Sequence, residues 1–144
     1  MTMQPRSWKI LWWSLFVVWA ACALLGVNHI RSGLITSHGA DLTLPAWMYI
    51  MIRSLENPAR RSWLRRSFGR TPERAASVLF VGSALTEVSQ YYWPAGVFPG
   101  VFDPWDIVMY GVGLLFCYVL DRSSLRSTSA VPKGSMFNVE REVS

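Results

Sequence analysis

Glu87, Gln90 and Tyr91 are spaced i, i+3 and i+4, so on a helix they share one face. Asp103 and Asp106 follow after a short aromatic turn, and Tyr110 stands four residues past Asp106. Both groups sit in or beside apolar runs, where carboxylates are rare without a purpose. A carboxylate in low dielectric keeps its proton unless a cation or several donors hold it. Glu87 could therefore serve as an acid, a proton acceptor, a metal ligand or the partner of Arg31. The plainer role is an inter-helix hydrogen bond to Gln90 or to a Tyr hydroxyl. Asp103 stands where a helix N-cap belongs, with Pro104 as the first helical residue and Asp106 three residues past the cap. Both carboxylates could satisfy free amides there, but Asp106 shares a face with Tyr110 and is expected to turn into the bundle. With Asp41, the candidate polar pocket is Asp41, Glu87, Gln90, Asp103, Asp106 and Tyr110. No spacing among His29, His38 and the carboxylates singles out a metal set, and the chain has neither a Gly-rich phosphate loop nor a nucleophile elbow. No metal is assigned, and cofactor and catalysis are left open.

Apolar sequence must position these residues. Hydrophobic residues make up 51% of the 144-residue chain and charged residues 16%, a balance that suits a small polytopic membrane protein of one domain. Eight Trp agree, because Trp favours the membrane–water boundary. The net charge of +5 does not point to nucleic acid, since the arginines fall between apolar segments rather than along one soluble face. Cys22 and Cys117 lie within apolar runs and read as small buried hydrophobes, not as a bridge.

Ile10 to Val27 carries no charge, and as a helix it reaches about 27 Å, close to the hydrocarbon thickness of a bilayer. A cleavable signal peptide is the competing reading. The run is long for a signal core, holds Trp12, Trp13 and Trp19, and lacks a clear small-x-small site, so a retained span is expected. The second segment, residues 33–52, contains His38 and Asp41 and is expected to be a short, polar or broken span shielded by protein. Residues 53–74 form a basic block whose Arg60, Arg61, Arg65, Arg66 and Arg70 interleave with Trp63, Leu64 and Phe68. It is either a short interfacial helix at the lipid phosphates or a solvated loop. Thr71 and Pro72 then open a span from Ala75 to Trp93, in which Gly82 and Ser83 should let another helix approach. The last span runs from Pro104 to Leu120, with Gly111 and Gly113 as small packing surface. The fold class is thus all-α: a polytopic membrane helical bundle of about four segments over residues 1–122, followed by a disordered cytoplasmic tail over 123–144.

Charge sets the orientation. With the N-terminus in the cytoplasm and four crossings, all of the 14 basic residues except Arg31 fall inside. The carboxylates and both histidines then gather at the outer end. This predicts a bacterial cytoplasmic (inner) membrane protein, multi-pass, with both termini inside.

Glu87-x-x-Gln90, the turn, and Asp103-Pro-Trp-Asp106-x-x-x-Tyr110-x-x-Gly113 resemble the VanZ-like family of small bacterial membrane proteins. The resemblance covers Leu85 to Asp121. Pro94–Phe102 lacks the arginine many members carry before the aspartate, and Tyr110 stands where Asn is common. The resemblance implies an envelope membrane protein; most members have no established reaction. Partners expected are membrane lipids, a lipid-linked or envelope ligand at the pocket, and a helix-packing protein, with no nucleic acid. The leading reading is an outward-facing acidic pocket that engages a lipid head group or envelope precursor. The alternatives are an enzyme acting on a lipid-like substrate through Glu87 and Asp106, and a non-catalytic assembly subunit.

Overall fold

The structure, a computed structural model, describes residues 4–28, 34–59, 63–97 and 101–129, with the backbone alone at 34–37 and 128–129. His29, Arg31, Arg60, Arg61, Lys133 and Arg141 lie outside the described residues, as does the tail from residue 130. The described elements are all helices: α1 (Pro5–Val27), α2 (Leu34–Arg53), α3 (Trp63–Ser67), α4 (Pro72–Tyr92) and α5 (Pro104–Ser129). Among the described residues there is no strand.

Local chemistry fixes the ends. Pro at the first or second position opens α1 and α4, where its missing N–H costs nothing. The Thr71 side chain accepts from the Arg74 amide at 3.2 Å and caps α4. Asp103 caps α5 by accepting from the Trp105 amide at 2.9 Å. At the end of α2, Ser54 takes a left-handed φ of 53°, and the Leu55 amide reaches back to the Ile50 carbonyl at 3.1 Å.

Two expectations change. The second segment is one unbroken helix of 20 residues with Pro45 inside it. Pro45 cannot donate to the carbonyl of Asp41, but packing holds the helix on both sides of it, with Gly39 and Thr43 buried before it and Ala46, Tyr49 and Ile50 buried after it. The last helix also runs beyond the expected boundary at residue 122 to Ser129. There Ser123, Ser124 and Ser127 fold their hydroxyls back onto helix carbonyls instead of competing from outside.

The core joins Trp8 near the start of α1, Tyr49, Ile50 and Ile52 near the end of α2, Ala75 and Leu79 near the start of α4, and Leu114 and Cys117 in the middle of α5, with Asp121 beyond them meeting Arg53 at the end of α2. The four long helices therefore alternate in direction, up-down-up-down. α2 is the hub and packs on α1, α3, α4 and α5. Gly113 permits the tightest approach: a Cβ there would lie 2.1 Å from the Leu42 carbonyl oxygen. Gly82, by contrast, faces open space, so the expected close approach does not occur at that position.

Burial is inverted relative to a soluble bundle. Glu87, Arg53, Asp121 and Thr43 are inside, while Val17, Val18, Val81, Leu85, Leu115 and Phe116 are exposed. α1 and α5 are each long and apolar enough to cross a membrane. α2 and α4 have 20 and 21 residues, with Thr43 and Arg53 of α2 and Glu87 of α4 turned inward.

Candidate functional site

The alternation of helix direction brings the first part of α2, the last part of α4 and the first turns of α5 to one end of the bundle. Six polar side chains meet there. The Tyr110 hydroxyl donates to Glu87 Oε1 at 2.7 Å and lies 3.3 Å from Asp41 Oδ1. Glu87 Oε2 accepts from the backbone amide of Asp103 at 3.4 Å. Asp106 Oδ1 is 2.7 Å from Nδ1 of His38. Asp106 also faces Asp41 closely enough to interact with it. Glu87 is only 2% exposed, whereas His38, Asp41, Asp103 and Asp106 are half-buried, so the cluster opens at its α2–α5 side.

Each placement has a sequence cause. His38 and Asp41 are three residues apart and share a face of α2. Asp106 and Tyr110 share a face of α5 in the same way. Asp103 remains at the helix mouth because it caps, whereas Asp106 is free to pair with His38. The Glu87–Tyr110 bond matches two antiparallel helices joined by a short turn, with Asp106 one turn nearer the end.

Of the expected pocket residues, Asp41, Glu87, Asp103, Asp106 and Tyr110 converge. Gln90 does not join: it makes no side-chain hydrogen bond among the described residues. His38 takes part although it was not among the expected pocket residues. The signal for it was the i, i+3 spacing to Asp41, which counts only once residues 34–53 are one helix.

The chemistry available is that of several carboxylates with one imidazole and one phenol. The ligand atoms of His38, Asp103 and Asp106 all lie within 4.8 Å of one another, so these three side chains could hold a metal ion. The Nδ1 contact to Asp106 orients the His38 ring and leaves Nε2 as its second functional nitrogen.

A second buried polar group occupies the opposite end. Arg53 Nε donates to Asp121 Oδ2 at 2.7 Å, and the Tyr49 hydroxyl donates to the same oxygen at 2.9 Å. Arg53 Nη1 also donates to the Gly69 carbonyl at 2.8 Å. This knot ties α2 to α5 and to the loop before α4. Arg53 is thus buried rather than part of a surface block, while Arg66 and Arg70 are exposed and Arg65 is half-buried. Sequence reading missed the pair because its members are 68 residues apart and stand at segment edges.

Compared with family models, with curated proteins and with solved structures, the chain matches none of them.

Proposed function

We propose that the protein is a multi-pass inner-membrane protein in which α1, α2, α4 and α5 all cross, with both termini and the basic end in the cytoplasm. Its acidic cluster then faces outward and engages a positively charged group on a lipid head group or lipid-linked envelope precursor. One observation carries this reading: His38, Asp41, Glu87, Asp103 and Asp106 gather from three helices at one end, while every described Lys and Arg belongs to the other. Four carboxylates beside one imidazole complement a cation, such as an ammonium or a metal ion bridging to phosphate. The apolar outer faces of α1, α4 and α5 support insertion in lipid. Membership in the VanZ-like family is part of the proposal, supported by the hydrogen bonds that join Glu87, Asp103 and Tyr110 of the motif, with Asp106 bonded to His38 beside them.

Calorimetric titration of the detergent-solubilised chain with short-chain phosphatidylethanolamine, and separately with Mn²⁺, tests the site. Binding heat in the wild type that is lost in Glu87→Gln and Asp106→Asn is the expected result. Equal heats in all three proteins, or none in any, would sink the reading.

The His38–Asp106 contact favours a second reading, in which the same end is an enzyme site and His38 is its acid–base group. In that case His38→Gln abolishes turnover of a lipid-like substrate while leaving its binding nearly unchanged. If instead binding and turnover fall together, the second reading fails.

A further inference from the structure

Another surface lies on the outside of the α4–α5 pair. A groove of about 390 Å³ runs between these helices, with Ala76, Ser77, Phe80, Gly111, Leu115 and Tyr118 among its walls. It is mostly apolar, and Gly111 keeps its floor low beside Phe80. Towards the basic end a second hollow of about 400 Å³ shares Tyr118 with it and is lined by Val119, Arg122, Ser123 and Arg126. Tyr118, Arg122 and Arg126 stand at i, i+4 and i+8 and so form one stripe along α5. From Gly111 to Arg122 the helix rises by about 16 Å.

Arg122 is held in place there. Its Nη1 donates to Glu73 and to the Tyr118 hydroxyl, and its guanidinium lies 5.7 Å from the Tyr118 ring centroid. Its other nitrogens make no bond among the described residues, and they stay available to an oxyanion. Arg126 is exposed one turn further on.

We propose that this surface binds an anionic phospholipid of the cytoplasmic leaflet, with an acyl chain in the α4–α5 groove and the head-group phosphate at Arg122 and Arg126. The proposal rests on the membrane orientation above but not on the acidic cluster. An apolar channel that ends in two guanidinium groups fits a molecule with an apolar tail and one anionic end. Glu73, the carboxylate in the lining of the groove, is already engaged by Arg122 and serves to aim it.

Native mass spectrometry of the full chain, released from micelles doped equally with phosphatidylglycerol and phosphatidylcholine, tests this. The wild type should retain phosphatidylglycerol in preference. The double variant Arg122→Gln/Arg126→Gln should lose that preference by about ten- to thirty-fold, from the attraction of two basic groups at the leaflet. Ser77→Leu, which fills the groove from an exposed position, should cut retention of both lipids while the preference survives. Unchanged preference in the double variant would overturn the proposal. So would a Ser77→Leu variant whose change is loss of a dimer mass, which would assign the groove to a second copy of the chain. Carbonate extraction of membranes separates the two readings: a chain released by carbonate refutes membrane insertion itself, whereas a retained chain without lipid preference refutes only this site.

Discussion

Tyr110 has one hydroxyl proton and two carboxylates in reach, Glu87 at 2.7 Å and Asp41 at 3.3 Å. A donor shared in this way makes Glu87 a hub: its other oxygen faces the Asp103 amide. Glu87→Gln keeps a carbonyl oxygen for Tyr110, so the fold should survive it with a loss below about 1 kcal/mol. Glu87→Leu takes the acceptor from the Asp103 amide and leaves Tyr110 only the longer contact to Asp41, and a buried donor left unmatched costs about 1–3 kcal/mol. Unfolding in mixed micelles, followed by circular dichroism, separates the two. If Glu87→Gln unfolds as readily as Glu87→Leu, the hydrogen-bond argument is wrong. At the opposite end the cost is larger. Asp121→Ala leaves the Arg53 guanidinium, 7% exposed, without its carboxylate, and breaking a buried pair of this kind costs about 3–5 kcal/mol. The same unfolding assay should show Asp121→Ala to be the most damaging of these variants. Short-range chemistry was legible in the residues. The caps at Thr71 and Asp103, and the inward turn of Asp106, follow from spacing and from what a helix end needs. The Arg53–Asp121 pair and the choice of His38 over Gln90 depend on which helices meet, and periodicity within one helix does not carry that.

At the scale of elements, the decisive contact is backbone against side-chain absence. Gly113 sits so close to the Leu42 carbonyl that a single added carbon would lie 2.1 Å from it. Gly113→Ala must push α5 off α2 and should cost about 1–3 kcal/mol, the usual range for overpacking. It should also loosen the Cys117–Ala46 and His38–Asp106 contacts on either side. Gly82→Ala meets nothing within 4 Å, so it should be neutral or stabilise the helix by up to about 1 kcal/mol. Comparing the two melting curves tests the packing directly; equal losses would contradict it. Both glycines looked equivalent in the sequence, since small residues mark possible contacts without saying which are used. Continuity of α2 was hidden for a related reason. Pro45, His38 and Asp41 each speak against one continuous apolar helix when taken alone, and packing in the bundle holds the helix through them. Glu73 adds a pH effect at the start of α4. Hydrogen bonding by its own amide, and then Arg122, hold its carboxyl below the ordinary range. A lowered carboxyl pKa contributes stability above its unfolded value and loses it as pH falls through the folded one. The α4–α5 tie should therefore be intact at neutral pH and weaken only in acid, with Glu73→Gln flattening that dependence.

For the whole molecule, the charge distribution and the alternation of helices give one consistent picture. The starts of α1 and α4 and the ends of α2 and α5 share the core around Trp8, Tyr49 and Leu79, and Arg6, Lys9, Arg53, Arg74, Arg122 and Arg126 belong to that end. The other end carries Asp41, Glu87, Asp103 and Asp106 together with exposed Tyr91, Tyr92, Trp93 and Trp105, the residue types that settle at a membrane interface. An odd number of crossings would put the Arg53–Arg74 block or the tail on the wrong side of the membrane, against the usual bias for basic loops to stay inside. Reversing the whole bundle would carry every described cation outward. The proposed topology rests on one requirement, that the basic end faces the cytoplasm. Ala95, in the exposed turn after α4, and Ala59, in the exposed stretch after α2, lie on opposite ends of the bundle. Each can be changed to cysteine in a background in which Cys22 and Cys117 are replaced by alanine. In intact spheroplasts, a membrane-impermeant maleimide should label Ala95→Cys to completion and leave Ala59→Cys unlabelled until the membrane is permeabilised. The reverse pattern would invert the molecule and turn the acidic cluster toward the cytoplasm. Labelling of both positions in intact spheroplasts would mean that α4 does not cross, and the pairing of Glu87 with Tyr110 would then have to form outside the bilayer.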